Sequence, residues 1–144
     1  MEGEDPVIPH GIKALVVDGD DNTRKSHEDM LKSLGVETQS VKNGREAIDT
    51  IFEWRRDEYK FDLILMDRRM PVMDGIEATR ILRLFDYPSR IVGVSTPLTD
   101  AEWEEFFNAG LDDLYDDHKP LSLQTIISIC KSVPPPCNGT CHCH

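Results

Sequence analysis

The chain has 144 residues, 39% of them hydrophobic and 7% aromatic, which suits one globular domain around a single core. Its formal net charge of -11 argues against non-specific binding to nucleic acid or to an anionic membrane, since each needs a basic face. No apolar run approaches a membrane span, and residues 1–10 lack the apolar core of a signal peptide, so the default compartment is the cytosol, with the nucleus open by diffusion.

Ala14-Leu15-Val16-Val17 is a first apolar run and ends in Asp18. Asn22 to Leu34 reads as a helix, with Met30, Leu31 and Leu34 inward and Gly35 as its stop. Val36 to Val41 alternates and reads as a second strand. Asn43 to Trp54 is a helix that Asn43 can cap, with Glu46 three residues on and Ala47, Ile48, Ile51 and Phe52 as its inner stripe. Asp62 to Met66 is a third strand, apolar on both faces as in parallel sheets, and Asp67 follows it. Met70-Pro71 stops that strand, and Asp74-Gly75 turns the chain into a helix reaching Phe85, with Asp74 as N-cap and Ile76, Thr79 and Leu82 on one face. Ile91 to Val94 is a fourth strand, ending in Ser95. Thr99-x-x-Glu102 is a capping box that opens a helix with Trp103, Phe106 and Phe107 inward and Gly110 as its stop. Leu111 to Tyr115 is a weak fifth strand and Ser122 to Lys131 a fifth helix.

Five βα units at such short spacings imply an α/β fold, with a parallel sheet covered on both faces by helices. The flavodoxin-like (βα)5 arrangement has strand order 2-1-3-4-5 and binds ligands outside the carboxyl ends of its strands. Asp18, Asp67, Ser95 and Lys119 follow strands one, three, four and five, so they converge on one edge. Such a set suits phosphoryl chemistry. A carboxylate can form an acyl phosphate, a divalent cation offsets the charge, and a hydroxyl and an ammonium hold phosphoryl oxygens.

These residues carry a resemblance. Leu15-Val16-Val17-Asp18, the string Met66-Asp67-Arg68-Arg69-Met70-Pro71-Val72-Met73-Asp74-Gly75, Val94-Ser95, Ala109-Gly110 and Lys119-Pro120 resemble the receiver domain of two-component response regulators. The likeness covers roughly residues 12–132, leaving an arm of residues 1–11 and a tail of residues 133–144. The wording around Lys42-Asn43-Gly44, strand four and Ala109-Gly110-Leu111 is similar to the plant type-C response regulators of cytokinin-type phosphorelays. The resemblance implies that Asp67 accepts the phosphoryl group, that Ser95 is the switch hydroxyl and that Lys119 pairs with the phosphoryl group. It implies a Mg²⁺ site built from Asp18, Asp67 and the backbone carbonyl of Arg69. The implied partner is a histidine-containing phosphotransfer protein, with the receiver itself a monomer. Without an output domain such a receiver would drain the relay, acting in effect as a phosphohistidine phosphatase.

Three departures stand out. Receivers usually carry two adjacent acids after strand one, and here the second is Gly19. Mg²⁺ binding should weaken, with Asp20 or Asp21 as a partial substitute, and a pseudo-receiver that binds partners without being phosphorylated is the alternative reading. Arg69 would overhang the site, there to screen the carboxylates or meet a phosphoryl oxygen, unless it is an ordinary solvated arginine. The stretch Asp112 to His118 is long and acidic, which leaves the register of the fifth strand open, with Tyr115 the nearest candidate for an aromatic switch and Lys119 at risk of displacement.

The chain closes on Cys137-x-x-x-Cys141-His142-Cys143-His144, five soft-metal ligands in eight residues, which suit Zn²⁺ or Cu⁺ by composition alone. Cysteines so crowded are not a disulfide framework. Cys130 reads as a small buried hydrophobe, and His10, His27 and His118 as ordinary surface or core histidines.

Overall fold

The computed structural model describes residues 8–53 and 61–134. The cysteine- and histidine-rich segment, Trp54 and residues 1–7 of the arm lie outside the described residues. Five βα units follow one another: β1 (Lys13–Val17), α1 (Asp21–Ser33), β2 (Glu37–Val41), α2 (Gly44–Glu53), β3 (Leu63–Asp67), α3 (Gly75–Leu84), β4 (Arg90–Val94), α4 (Asp100–Asn108), β5 (Asp113–Tyr115) and α5 (Leu123–Ser132). All pair in parallel, in the order β2-β1-β3-β4-β5, as the alternation of elements implied. Central β3 is buried at every residue, whereas edge strand β2 alternates at its start.

Each face of the sheet carries its own apolar layer. Leu15, Val17, Ile64 and Met66 point toward Ala47 and Ile51 of α2, Ile76 and Leu82 of α3 and Phe106 of α4. The alternate residues Ala14, Val16, Leu63 and Leu65 meet Leu31 of α1 and Ile126, Ile129 and Cys130 of α5. This period-two split is what a strand buried on both faces demands.

Local chemistry sets the helix ends. Asp74 and Ser122 cap α3 and α5, and Thr99 with Glu102 closes the reciprocal box of α4. Asn43 Oδ1 accepts from the amide of Glu46, while the Glu46 carboxylate reaches the amide of Lys42. Gly35, at φ 85°, ends α1 with its amide and that of Val36 donating to Lys32 and Leu31 carbonyls, a Schellman closure.

Three expectations need correction. Helix α1 begins at Asp21, one residue early, because Asp20 rather than Asn22 starts it by accepting from the Thr23 amide. Strand β5 is only three residues long. Trp103 is not an inward residue of α4: it is 36% exposed and stacks on half-buried Phe107 at 4.9 Å, and Phe106 alone carries the deep contact.

Arg83 on α3 stitches the end of the molecule opposite the strand termini. Its guanidinium donates to the carbonyls of Gly110 (2.8 Å), Tyr87 (2.7 Å) and Ser89 (2.9 Å) and to Asp112 Oδ2 (2.9 Å). Arg83→Met should therefore cost about 2–4 kcal/mol, since it orphans three carbonyls in two loops. Arg83→Lys should restore less than half of that, because an ammonium lacks the planar fork. Urea unfolding measures both, and a loss below about 1 kcal/mol in the Met variant would show that water replaces the guanidinium.

Candidate active site

The sheet order reverses between β1 and β3, and the crevice beyond their carboxyl ends is where open α/β sheets place a site. Val17 pairs with Met66, so the next residues on the two strands, Asp18 and Asp67, emerge side by side. Both are buried, at 2% and 4% exposure. Lys119 reaches them from the loop between β5 and α5, its Nζ 3.3 Å from Asp18 Oδ2 and 3.0 Å from Asp67 Oδ1. The long acidic stretch before it does not displace it. The peptide bond from Lys119 to Pro120 is cis.

The charges act on one another. Burial, and then the negative charge of Asp67, push the Asp18 carboxyl up to about 6, against the Asp20 amide and Lys119, which favour its ionised form. Burial works against the Lys119 charge, but Asp67 and Asp18 outweigh it and hold the ammonium's pKa above its ordinary value. One cation between two carboxylates leaves the pocket with a net negative charge and hard oxygen donors, a set that suits Mg²⁺.

The loops around the pair are tied locally. Asp18 Oδ1 accepts from the Asp20 amide at 2.8 Å, and the Asp18 carbonyl accepts from Arg24 Nη1 at 2.9 Å. Asp20 spends its other resource on the helix, with Oδ2 accepting from both the amide and the hydroxyl of Thr23. Among the described residues no three carboxylate, imidazole or thiolate groups gather as a ready metal cage.

A Cβ placed on Gly19 would stand 3.5–3.6 Å from Pro71 Cδ, Lys42 O and Met70 Cγ, ordinary van der Waals contact. Its backbone is not among the left-handed positions, so a side chain fits here. Gly19 is thus a position that has room for a side chain rather than a required glycine. The opposite holds at Gly75, where a Cβ would overlap the carbonyl oxygen of Asp67 itself.

Ser95 stands one residue beyond Val94, which pairs with Asp67, so it shares the same edge. It is buried, and its hydroxyl donates to the Thr96 carbonyl at 2.7 Å rather than to Asp67 or Lys119. Among the described residues Arg69 makes no ion pair with Asp18 or Asp67. Its exposed guanidinium reaches Glu102 of α4 at 2.8 Å. Tyr115 is half-buried against the α1/α5 layer, away from α4.

Two contacts of the β5–α5 loop escaped the sequence reading. Asp116 Oδ2 accepts from the Leu98 amide at 3.1 Å, joining this loop to the one that carries Ser95. His27 Nε2 accepts from the Leu121 amide at 2.8 Å. The second had a readable signal: Thr23, His27 and Leu31 recur at helical spacing and form the buried stripe of α1. A histidine in such a stripe implies a hydrogen-bond partner.

Burial, helped by the charge of Lys119, pushes the His27 imidazole down to about 4. A histidine that stays neutral when folded contributes stability that is fully present above its unfolded value of about 6.5. That stability is lost as pH falls toward 4, by roughly 3 kcal/mol at 1.36 kcal/mol per pH unit. Asp18 runs the other way over the same window, so the clean measurement is the difference in unfolding free energy between the parent and His27→Gln, which keeps Asp18. The parent's advantage should shrink between pH 6.5 and 4; a flat difference would show that His27 is not held neutral.

The whole arrangement has known counterparts. The model of the response regulator receiver domain matches residues 14–131. The chain is 40% identical over 118 residues to two-component response regulator 24 of Arabidopsis thaliana, covering 82% of this chain and 81% of that protein. It is 41% identical over 120 residues to two-component response regulator ARR22 of the same plant, with 82% and 80% covered. Among solved structures, the receiver domain of sensor histidine kinase PA1611 from Pseudomonas aeruginosa, which holds a magnesium ion in its active-site cleft, superposes with a TM-score of 0.73. It is 28% identical, with 84% of this chain and 95% of that one covered. No helix among the described residues is long and apolar enough to cross a membrane. The acidic pair at the ends of β1 and β3, the lysine that bridges it and the match over residues 14–131 agree: the chain belongs to the receiver-domain family of two-component response regulators, and its likeness to the Arabidopsis regulators bears out the plant-type resemblance.

Proposed function

We propose that Asp67 accepts a phosphoryl group from the phosphohistidine of a histidine-containing phosphotransfer protein and releases it to water, so that the protein drains or modulates a relay. The observation that carries this reading is Lys119 Nζ lying 3.0 Å from Asp67 and 3.3 Å from Asp18, which aims a fixed positive charge at the place where phosphoryl oxygens would arrive. An oxygen of Asp67 attacks phosphorus, the P–N bond to the donor imidazole breaks, and the imidazole keeps the electron pair and takes a proton. Water then attacks phosphorus, the bond to Asp67 oxygen breaks, and the carboxylate and inorganic phosphate are left. Ser95 has to leave the Thr96 carbonyl to reach a phosphoryl oxygen.

Asp18, Asp67 and the backbone carbonyl of Arg69 would hold Mg²⁺, with waters filling the space that Gly19 leaves. When bound, the ion neutralises charge on the transferred group. The magnesium in the cleft of the bacterial receiver supports this assignment. The net negative charge of the chain favours a donor that presents a basic surface.

Mixing the protein with a phosphotransfer protein labelled on histidine, in Mg²⁺, tests the reading. Label should leave the donor and appear as inorganic phosphate by way of an acyl phosphate that alkali cleaves. Persistence of label on the donor would instead favour the phosphorylation-independent binding module that Gly19 suggests.

Gly19→Asp should tighten Mg²⁺ binding about tenfold, because it adds a carboxylate beside a dication where a Cβ has room. A calorimetric Mg²⁺ titration decides this. Equal or weaker affinity in the variant would mean that Asp20 or Asp21 already serves the ion.

A further inference from the structure

We infer that His27 is the positioning residue for Lys119, a role that rests on the phosphoryl-acceptor reading only for its catalytic consequence. The lysine side chain has four rotatable carbons, so its backbone origin must be held if Nζ is to sit between two carboxylates. That origin lies in a loop without regular structure between Tyr115 and Leu123. Within this loop Pro120 has no amide hydrogen, so the first donor after Lys119 is the Leu121 amide. Leu121 is 3% exposed, and its amide donates to His27 Nε2 at 2.8 Å across a sequence gap of 94 residues.

His27 is itself 1% exposed and projects from the middle of α1, a helix anchored at its start by the Asp20 cap and at its end by Gly35. The same helix carries Arg24, whose Nη1 grips the Asp18 carbonyl. One rigid element therefore fixes both the Asp18 loop and the Lys119 loop. Nε2 accepts only when the proton sits on Nδ1, and the low affinity of buried His27 for a second proton keeps it so. A histidine that only filled the core could give way to any apolar side chain of similar volume without moving the lysine.

Two variants and one probe separate these roles. His27→Gln keeps an acceptor near Nε2, while His27→Leu keeps volume and removes it. The probe is acetic anhydride at low dose, with acetylation at Lys119 read by mass spectrometry against exposed Lys25. In the parent and the Gln variant Lys119 should be protected, and in the Leu variant its relative labelling should rise several-fold. With acetyl phosphate and Mg²⁺, the Leu variant should take up phosphoryl groups ten- to a hundredfold more slowly, the loss that about 1 Å of misplacement brings. The Gln variant should stay within about threefold of the parent, that is, within 0.7 kcal/mol of barrier.

Should the Leu variant fail to fold, hydrogen exchange at the Leu121 amide of the parent gives an independent reading. It should be as slow as the core amides of α1, and exchange at the rate of an open loop would overturn the inference. So would a folded Leu variant with Lys119 still protected, or a Gln variant as impaired as the Leu one. If the parent takes no phosphoryl group at all, the functional reading fails, while the acetylation ratio still decides what holds Lys119.

Discussion

Asp67→Asn should abolish phosphoryl acceptance while leaving the fold as stable as the parent or slightly more so. The amide oxygen that replaces the carboxylate is uncharged and a poor nucleophile. The rate should fall below roughly one part in a thousand, more than about 4 kcal/mol at 1.36 kcal/mol per decade. Stability behaves differently because the pair is crowded. Burial and the charge of Asp67 together hold the Asp18 carboxyl up at about 6, so neutralising residue 67 lets Asp18 ionise more readily. Lys119 keeps Asp18 as its partner at 3.3 Å. Unfolding free energy should stay within about 1 kcal/mol of the parent, or rise. Label transfer to the Asn variant at the parent rate would remove Asp67 from the acceptor role, whatever its stability.

Gly75→Ala should be the most damaging single methyl in the molecule. The added carbon would overlap the carbonyl oxygen of Asp67 and stand 3.0 Å from its carbonyl carbon and 3.1 Å from Met66 Cγ. Two of those three neighbours are backbone of buried β3, where no side chain can swing aside. Gly75 also donates its amide to the Arg68 carbonyl at 2.9 Å, so moving α3 away breaks the turn that leads out of the strand. We expect a loss of about 3 kcal/mol, the upper part of the overpacking range, and at least a tenfold slower phosphoryl acceptance as Asp67 shifts. Gly19→Ala makes the control, because its methyl would have only ordinary contacts at 3.5–3.6 Å and should cost less than about 0.5 kcal/mol. A Gly75→Ala protein within about 1 kcal/mol of the parent in urea would show that α3 can retreat freely.

Much of this protein is legible in its residues. The alternation of apolar runs and amphipathic stretches determined five βα units, and the order β2-β1-β3-β4-β5 followed from how such units pack. Asp74, Thr99 with Glu102, and Gly35 marked helix ends, because capping joins residues at most a few positions apart. The side-by-side carboxylates were legible for the same reason: each follows a strand, and strand ends share an edge.

What tertiary structure alone decided lies in contacts between residues far apart in the chain. Arg69 turns to Glu102, Asp116 reaches the Leu98 amide, and His27 meets Leu121. Trp103 belongs to a helix whose pattern allows either an inward or an outward ring, and the docking of α4 leaves it at the surface. Gly75 shows the division best. Its letter marks a turn, yet what demands glycine is the carbonyl oxygen of Asp67, which lies well inside van der Waals contact of where its side chain would begin. Local rules concern propensity and spacing, whereas the room at a given Cβ depends on which backbone the fold has brought beside it.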